Sequence, residues 1–369
     1  MFADEYHVSR MMEIRENVLL GPYTTLQVGG PASYFVEPAK ECEVIEALHW
    51  ARAKAVPVFV LGGGSNLLVS DAGFKGLVLH MNIAGIDAHE DGAKQIYSAG
   101  AGVEWDALVQ RAVADNCAGM ECLSGIPGTV GGTPVQNVGA YGQDVSETIV
   151  RVCAVNTVTA ERVEFDNAAC GFSYRQSRFN GKDLGSYILT RVDYALTPNG
   201  APKIAYADLK RTFSDKPASS AMPTLSETRD AVLKIRRAKG MELDEDDLDS
   251  RSAGSFFKNP VVSLAEYERI AANSPVAVPH FDSGPGQVKL AAAWLIEQSG
   301  LAKGFALGPM AISSKHTLAL TNRGGATAAD VLRMKAFVQS RVGQRFGVEL
   351  RPEPVMLGFE PCEAPHASE

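Results

Sequence analysis

The sequence predicts an α+β protein with a cofactor-binding N-terminal region and a second region that begins near residue 240. Helix-like and strand-like segments alternate along the chain, two glycine-rich segments lie in its first half, and no internal repeat is found. The 369 residues suffice for two or three domains. Because 46% of the residues are hydrophobic and 21% are charged, we expect a soluble, globular protein with a sizeable core.

The spacing of apolar residues predicts the individual helices and strands. Helical spacing occurs over residues 41–54, 104–114, 264–272, 287–299 and 328–346, and strand-like runs over 56–61, 67–70, 149–156, 163–165 and 187–196. Residues 213–225 are predicted to be a connector, after which Ser226 caps a helix that ends near Gly240. The acidic residues between Glu242 and Asp249 predict a mobile, solvated loop.

The charge balance excludes several classes of partner. Lys and Arg number 35 against 43 Asp and Glu, a net charge of −8, so we expect neither nucleic acid nor an anionic membrane as a partner.

Residues 1–17 are acidic without an apolar core, and the charge-free residues 122–143 are broken by glycine and proline, so neither a signal peptide nor a membrane span is predicted. The scattered cysteines and histidines predict reduced thiols in a cytoplasmic protein and no metal site.

Two glycine-rich segments are suited to binding a diphosphate: residues 61–68 (LGGGSNLL) and residues 125–142 (GIPGTVGGTPVQNVGAYG). A diphosphate is bound by backbone N–H groups that converge on one concavity, and glycine lets the chain approach the anion without a Cβ atom. Neither segment is a Walker A loop or a Rossmann fingerprint. Ordinary tight turns are the alternative for either segment alone, but two such segments favour a long dinucleotide laid across several loops.

Further motifs occur in the order typical of one enzyme family. LGGGSNLLVSD, the long glycine-rich segment, SYRQS at residues 173–177 and GSFFKNP at residues 254–260 follow one another, and residues 23–30 match the opening signature of the family. From about residue 17 to residue 358, the chain therefore resembles the UDP-N-acetylenolpyruvoylglucosamine reductases, the MurB-type enzymes, and within them the larger type I class.

The resemblance implies a domain organisation that periodicity does not reveal. It implies an FAD-binding module of the vanillyl-alcohol-oxidase (PCMH) type with two subdomains, and a separate α+β substrate-binding domain. Subdomain 1 is expected at residues 1–85, joined by a C-terminal segment of about 325–360. Subdomain 2 is expected at residues 86–238, and the substrate-binding domain at residues 239–324.

The resemblance also implies a reaction. NADPH, through non-covalently bound FAD, reduces UDP-N-acetyl-3-O-(1-carboxyvinyl)-glucosamine to UDP-N-acetylmuramate in peptidoglycan precursor synthesis in the bacterial cytoplasm. The partner is thus a small UDP-sugar, and we expect a monomer. The FAD contacts are expected at Gly62, Gly63, Gly64, Ser65, Asn66, Leu67, Gly125, Ile126, Pro127, Gly128, Thr129, Gly131, Gly132, Asn137, Gly139, Ala140 and Tyr141.

The catalytic residues implied by the family fit the chemistry. Hydride addition to a vinyl ether that bears a carboxylate leaves negative charge beside that carboxylate, and a proton must follow. Arg175 is the candidate cation, because a guanidinium stays charged and grips a carboxylate through two N–H bonds. Ser255 is the candidate proton donor. Glu353 either hydrogen-bonds the developing charge, if protonated, or steers its geometry. Without the resemblance, these residues would be interpreted as an ion-paired arginine, a turn serine and an exposed loop glutamate.

The resemblance assigns four residues to the substrate. Arg236 and Lys239 match family positions near the UDP diphosphate, although cations in the last turn of a helix also complement its dipole. Asn259 is expected to hydrogen-bond the substrate. Tyr206 resembles a loop tyrosine that closes over the substrate, and a half-buried loop tyrosine is the alternative.

Two other functions stay open from the sequence. An oxygen-using flavin oxidase of the same fold would not need the set of Arg175, Ser255 and Glu353. A catalytically silent UDP-sugar-binding protein would be expected to carry a substitution at one of these three positions.

Overall fold

The structure, a computed structural model, describes residues 12–214 and 222–359. Its helices and strands form three groups in chain order. Short 3-10 helices lie between these elements, at Gly21–Tyr23, Glu121–Leu123, Val130–Gly132, Val145–Glu147, Arg178–Asn180 and Leu248–Ser250. Residues 1–11, residues 215–221 of the predicted connector and residue 360 of the predicted C-terminal segment lie outside the described residues.

The first group is a four-stranded sheet with one helix packed on it. It contains β1 (Arg15–Leu19), β2 (Pro31–Val36), α1 (Glu41–Ala53), β3 (Val58–Leu61), β4 (Leu67–Val69) and β5 (Phe74–His80). The strand order is β1-β2-β5-β3, in which β2, β5 and β3 run parallel. Val44 and Leu48 on one face of α1 pack in the same core as Leu77 and Leu79 of β5. The first glycine-rich segment therefore begins at the carboxyl end of the parallel strand β3.

The second group is an antiparallel sheet around its own core. It contains β6 (Ile86–Asp91), β7 (Lys94–Gly100), α2 (Trp105–Ala114), β8 (Cys117–Ala118), β9 (Gly139–Ala140), β10 (Gln143–Asp144), β11 (Ile149–Asn156), β12 (Arg162–Asp166), α3 (Asn167–Cys170), β13 (Tyr187–Pro198), α4 (Ala207–Ser214) and α5 (Leu225–Ala238). The main strand order is β12-β11-β13-β7-β6. Trp105 and Leu108 of α2 are buried with Tyr97 and Tyr194 of the sheet.

The third group combines two small sheets with three helices. It contains β14 (Ser252–Ser255), β15 (Val261–Ser263), α6 (Leu264–Ala272), β16 (His280–Asp282), β17 (Gln287–Leu290), α7 (Ala292–Gln298), β18 (Ala306–Leu307), β19 (Met310–Ile312), β20 (Ala319–Asn322) and α8 (Ala328–Phe346). The last strand of the chain, β21 (Val355–Leu357), follows this group. The sheets have the orders β14-β20-β19-β18 and β15-β17-β16. The helices share one core, to which α8 contributes Val331, Met334, Val338 and Val342 at helical spacing.

The C-terminal part of the chain is divided between two groups. The helix α8 packs with α7 and β19 in the third group, whereas β21 pairs in parallel with β4 of the first group. The first turn of α8 is also bonded to the first group, because the Asp71 carboxylate accepts hydrogen bonds from the N–H groups of Ala328 and Ala329. The assignment of residues 325–360 to subdomain 1 stays a prediction.

The structure confirms the α+β class, most predicted elements and the bounds of α6 and α8, and it corrects two helix starts. The helix predicted over residues 287–299 begins only at Ala292, because Gln287–Leu290 is a strand between β15 and β16. The N-cap of α5 is Thr224 and not Ser226. The Thr224 side chain accepts a hydrogen bond from the Glu227 N–H, and the Glu227 carboxylate accepts one from the Thr224 N–H. The predicted connector also overlaps α4, which extends to Ser214.

The acidic segment is not simply solvated. Asp249 is only 5% exposed, and its carboxylate accepts hydrogen bonds from the backbone N–H and the hydroxyl of Ser314 while pairing with Arg323. Asp247 forms an ion pair with Lys315 at 2.6 Å. The prediction of a solvated loop is thus wrong at Asp249, because its partners lie more than 60 residues away in sequence. We call the contacts of Asp247 and Asp249 with Ser314, Lys315 and Arg323 the acidic clasp.

Within the described residues, no helix is long and apolar enough to cross a membrane.

We expect Thr224→Ala to lower the free energy of unfolding by about 1 kcal/mol, because the first turn of α5 loses its side-chain acceptor. Ser226→Ala is the matched control, since Ser226 is exposed and should be replaceable at little cost. Urea denaturation of both variants checks this. Equal destabilisation by the two variants would contradict the assignment of Thr224 as the cap.

Candidate active site

A cleft lies where the two glycine-rich segments meet. A Cβ atom on Gly63 would lie 2.7 Å from the Cα atom of Gly128, so the two backbones touch without room for a side chain. The Ser65 hydroxyl donates to the Pro127 carbonyl at 2.9 Å and joins the segments. The cleft measures about 800 Å³, including the solvent at its mouth. It has an apolar floor and glycine-rich walls, an arrangement suited to a flat ring system attached to an anion.

The first glycine-rich segment presents unused backbone donors. Within the described parts of the chain, the backbone N–H groups of residues 62–66 donate to no protein acceptor. All five residues line the cleft. Consecutive N–H groups that bond to nothing in the protein form a site for an anion, because they would otherwise depend on solvent.

The second glycine-rich segment is fixed by its neighbours. The N–H group of Trp105 donates to the Gly128 carbonyl at 3.0 Å, and the N–H group of Gly131 donates to Ala101. Gly125 is held on both sides, since its N–H donates to Asp106 Oδ1 at 2.6 Å and its carbonyl accepts from Arg236 Nε at 3.0 Å. Asp106 is in turn paired with Arg229 through two bonds of 2.6 Å. This support explains how a segment with so many glycines keeps one conformation.

The structure places most of the predicted FAD contacts in the lining of the cleft. These are Gly62, Gly63, Gly64, Ser65, Asn66, Leu67, Ile126, Pro127, Gly128, Thr129 and Gly132. Predicted contacts outside the lining are Gly125, Gly131, Asn137, Gly139, Ala140 and Tyr141. Asn137, for example, is buried and uses its amide to bind Ser173 and Ser146. Lining residues that sequence reasoning missed include Trp105 and Val355, which lie outside the glycine-rich segments, and Gln136, which lies within the second one.

Two of the three predicted catalytic residues, Arg175 and Glu353, come from separate segments and lie in contact, and Ser255 precedes a backbone partner of Glu353. Arg175 Nε lies 3.4 Å from Glu353 Oε1, and Arg175 Nη2 donates to the Gly139 carbonyl at 2.7 Å. The N–H group of Glu353 donates to the Phe256 carbonyl at 2.9 Å, which places Glu353 beside the residue that follows Ser255. Arg175 has a positive φ of 55°, a conformation that few non-glycine residues adopt. Such a backbone at a predicted catalytic residue is typical of a functional site.

This set adjoins the cleft through Asn66. The Asn66 side-chain amide donates to the Glu353 backbone carbonyl at 3.5 Å. The Asn66 backbone carbonyl accepts from the Val355 N–H at 3.0 Å. Because Asn66 and Val355 both line the cleft, the glutamate lies at the edge of the candidate cofactor site.

Opposing influences act on the pKa of Glu353. Burial raises the pKa of Glu353, and the charges of Arg175 and Lys258 oppose this rise. Arg175 Nε is buried and has no hydrogen-bond partner among the described residues. A buried donor without a partner is available to an incoming acceptor.

Ser255 ends the strand β14, opposite Ala319 of β20. Its hydroxyl lies 3.5 Å from His316 Nε2 and makes no other hydrogen bond with the described residues. Sequence reasoning missed His316, because a lone histidine in the turn before β20 matches no ligand spacing.

Of the four predicted substrate residues, Tyr206 and Lys239 are accessible to solvent, whereas Arg236 and Asn259 are bonded to the protein backbone. Tyr206 is 45% exposed and packs edge-on against Tyr141, with ring centroids 5.5 Å apart. Lys239 Nζ is 5.8 Å from the same Tyr141 ring and pairs with Asp208 at 2.8 Å. Arg236 is buried and donates to the carbonyls of Gly125 and Met241. Asn259 Oδ1 accepts from the Ala292 N–H at the start of α7.

Comparison with known proteins identifies the family. Residues 246–357 match the profile of the UDP-N-acetylenolpyruvoylglucosamine reductase C-terminal domain, and residues 32–162 match that of an FAD-binding domain. Over 350 residues, the chain is 45% identical to the UDP-N-acetylenolpyruvoylglucosamine reductase of Thermobifida fusca, with 93% of this chain and 97% of the relative covered. It is 43% identical to that of Streptomyces avermitilis, with coverage of 92% and 94%. The chain belongs to this reductase family.

A solved structure of the family has the same fold. The MurB reductase of Thermus caldophilus superimposes with a TM-score of 0.64 at 27% identity, covering 94% of this chain and 99% of that chain. The predicted α+β fold with an FAD-binding module is therefore confirmed. The protein is an FAD-dependent oxidoreductase of peptidoglycan precursor synthesis.

We expect Gly63→Ala to weaken FAD binding roughly ten-fold or more, because a methyl group forced into a closed contact costs about 1–3 kcal/mol. The added Cβ would push the segment away from Gly128. Gly343→Ala in α8 is the control, since a Cβ there meets no atom within 4 Å. Flavin fluorescence during reconstitution of the apoprotein measures the affinity. Unchanged affinity in Gly63→Ala would contradict the proposed cleft.

Proposed function

We propose that this chain catalyses the NADPH-dependent reduction of UDP-N-acetyl-3-O-(1-carboxyvinyl)-glucosamine to UDP-N-acetylmuramate. The observation that carries the proposal is the contact of Arg175 with Glu353 at the edge of the glycine-lined cleft, next to the backbone of the segment that carries Ser255. Relatives that are more than 40% identical are named for the enolpyruvoyl sugar. An oxidase would not require this set of residues.

The glycine-lined cleft holds FAD, which supplies the hydride when bound after taking it from the nicotinamide. The free N–H groups of residues 62–66 bind its diphosphate, and the second glycine-rich segment closes the other wall. Trp105 and Val355 contribute apolar surface. The cofactor is held without a covalent bond.

Arg175 binds the carboxylate of the enolpyruvyl group. The Gly139 carbonyl fixes one end of the guanidinium, while the unpartnered Nε is free to donate to the substrate. A guanidinium stabilises the negative charge that develops beside the carboxylate after hydride addition. Glu353 in its protonated form donates a second hydrogen bond to that charge, which is the role that burial of its carboxyl group favours.

Ser255 supplies the proton. Its O–H bond breaks as the new C–H bond forms, the electron pair of the carbanion takes the proton, and the hydroxyl is left as an alkoxide that regains a proton from solvent. A serine hydroxyl is a weak acid, but a carbanion beside a carboxylate is basic enough to accept its proton.

The nucleotide end of the substrate is proposed to bind near α5. Lys239 and Tyr206 are accessible to a diphosphate, and Tyr206 lies just before α4 in a position to cover it. Arg236 is proposed to contact the diphosphate beside Lys239, with two of its N–H groups bound to the Gly125 and Met241 carbonyls. Asn259, whose amide oxygen accepts from the Ala292 N–H and whose side chain also hydrogen-bonds Tyr174, is proposed to contact the substrate from this position.

The three groups of the fold take separate roles in this proposal. The first two groups form the two FAD-binding subdomains. The third group binds the substrate, and β21 joins the first group. The chain is proposed to act as a monomer and to work in the bacterial cytoplasm, where NADPH and UDP-sugars occur.

An anaerobic experiment tests the reaction. The bound flavin is reduced with stoichiometric NADPH, the enolpyruvyl UDP-sugar is added, and the yellow colour of oxidised flavin is followed. We expect rapid return of the colour with formation of UDP-N-acetylmuramate. A flavin that is reoxidised only by air would instead indicate an oxidase.

We expect Ser255→Ala to slow flavin reoxidation by the enolpyruvyl substrate about 10²–10⁴-fold, the usual contribution of a general acid. Flavin reduction by NADPH should change little, because that step needs no proton from Ser255. Stopped-flow absorbance measures both half-reactions. Equal losses in both would exclude Ser255 as a dedicated proton donor.

The raised pKa of Glu353 predicts a pH dependence. Reoxidation should slow as the pH rises through that pKa, because the carboxyl group loses the proton that it donates. In Glu353→Gln the amide keeps an N–H donor at every pH, so this fall should disappear. Glu349→Gln, at an exposed position, is the control and should keep the wild-type profile. A wild-type rate that increases with pH would mean that the ionised carboxylate is the active form.

A further inference from the structure

We infer that His316 is a positioning residue for the proton transfer: its neutral imidazole donates a hydrogen bond from Nε2 to the Ser255 hydroxyl. The bond aims the serine proton at the substrate and stabilises the oxygen that loses it. This inference rests on the proposed role of Ser255.

The geometry leaves Ser255 one protein partner. His316 Nε2, at 3.5 Å, is the sole group of the described residues within hydrogen-bond reach of the Ser255 hydroxyl. Contacts of catalytic groups are often long without substrate and shorten when it binds. If the hydroxyl donated to His316, its proton would point away from the substrate. With the proton on Nε2, the hydroxyl accepts from His316 and its own proton is free for the carbon.

His316 stays neutral in this environment. Burial lowers its pKa to about 4, and the charges of Lys239 and Lys303 add to the effect. A neutral imidazole still carries one N–H donor. It can therefore stabilise the alkoxide without giving up its proton, and Ser255 remains the group that transfers one.

The turn that carries His316 is fixed from two sides. The backbone N–H group of His316 donates to the hydroxyl of the buried Ser313 at 3.1 Å. The two preceding residues, Ser314 and Lys315, are held by Asp249 and Asp247 of the acidic clasp. On the other side, the N–H group of Phe256 donates to the Leu318 carbonyl at 2.8 Å. These bonds hold His316 and Ser255 in register, which a positioning residue requires.

The proton transfer from Ser255 conserves atoms and electrons. The Ser255 O–H bond breaks, the C–H bond forms with the electron pair of the carbanion, and the alkoxide keeps the electron pair of the broken bond. The Nε2–H of His316 bonds to that alkoxide until solvent returns a proton to Ser255. His316 itself is unchanged through the cycle.

The test compares His316→Leu, His316→Gln and wild type in both half-reactions of the flavin-loaded enzyme. We expect His316→Leu to slow reoxidation by the enolpyruvyl sugar about ten-fold, the usual worth of one hydrogen bond to a charged group, with flavin content and reduction by NADPH retained. His316→Gln should restore most of the rate, because its amide offers a neutral N–H donor at the same number of bonds from the backbone. The exposed His89→Leu is the control and should behave as wild type.

A double-mutant cycle separates positioning from a general structural effect. In the Ser255→Ala background, His316→Leu should cause no further loss, since there is no hydroxyl left to position. An equal loss in both backgrounds overturns the inference. If His316→Leu does not retain flavin, His316→Asn, with a shorter side chain, replaces it with the same expectation.

The outcomes also distinguish this inference from the proposed function. Slow reoxidation in Ser255→Ala with a normal rate in His316→Leu overturns the role of His316 alone. A normal rate in Ser255→Ala overturns both the proton donor and its positioning residue.

Discussion

The parallel pairing of β21 with β4 is the contact on which the candidate site depends. It joins strands that are more than 280 residues apart and brings Glu353 to the end of the first glycine-rich segment. The pairing is closely constrained, because a Cβ on Gly358 would lie 1.9 Å from the Gly73 carbonyl oxygen. Leu67, Val69 and Leu357 are buried in the same core. Apolar burial thus holds together the parts of the chain that contribute the cofactor cleft and the catalytic set.

The cleft itself depends on the absence of side chains. The backbones at Gly63 and Gly128 are in contact, and residues 62–66, whose N–H groups have no acceptor among the described residues, line the cleft beside this contact. Backbone N–H groups without protein partners lower the stability of a fold unless water or a ligand satisfies them. A bound diphosphate satisfies several at once, so cofactor binding and stability of this region are linked.

The sequence predicts the bounds of elements that depend mainly on neighbouring residues. The helix α8 has a capping box at Thr327, an unbroken apolar face and a left-handed Gly347 at its end, and its bounds were predicted correctly. The sequence could not show that Asp249 is buried against Ser314, or that His316 meets Ser255, because these pairs are set by tertiary packing. Arg175, Ser255 and Glu353 were proposed through the family motifs, and only the structure shows that Arg175 and Glu353 lie in contact.

The last turn of α5 links the two binding regions. Arg236 donates to Gly125, the first residue of the second glycine-rich segment, while Lys239, three residues later, faces Tyr141 and Asp208. Residues three apart lie on the same face of a helix, so a shift of this turn moves both contacts together. Because Arg236 is buried, releasing Gly125 would leave a guanidinium N–H group without its acceptor in the interior, which is costly. The position of the cofactor loop and the position of the lysine proposed for the diphosphate are therefore set by one rigid element.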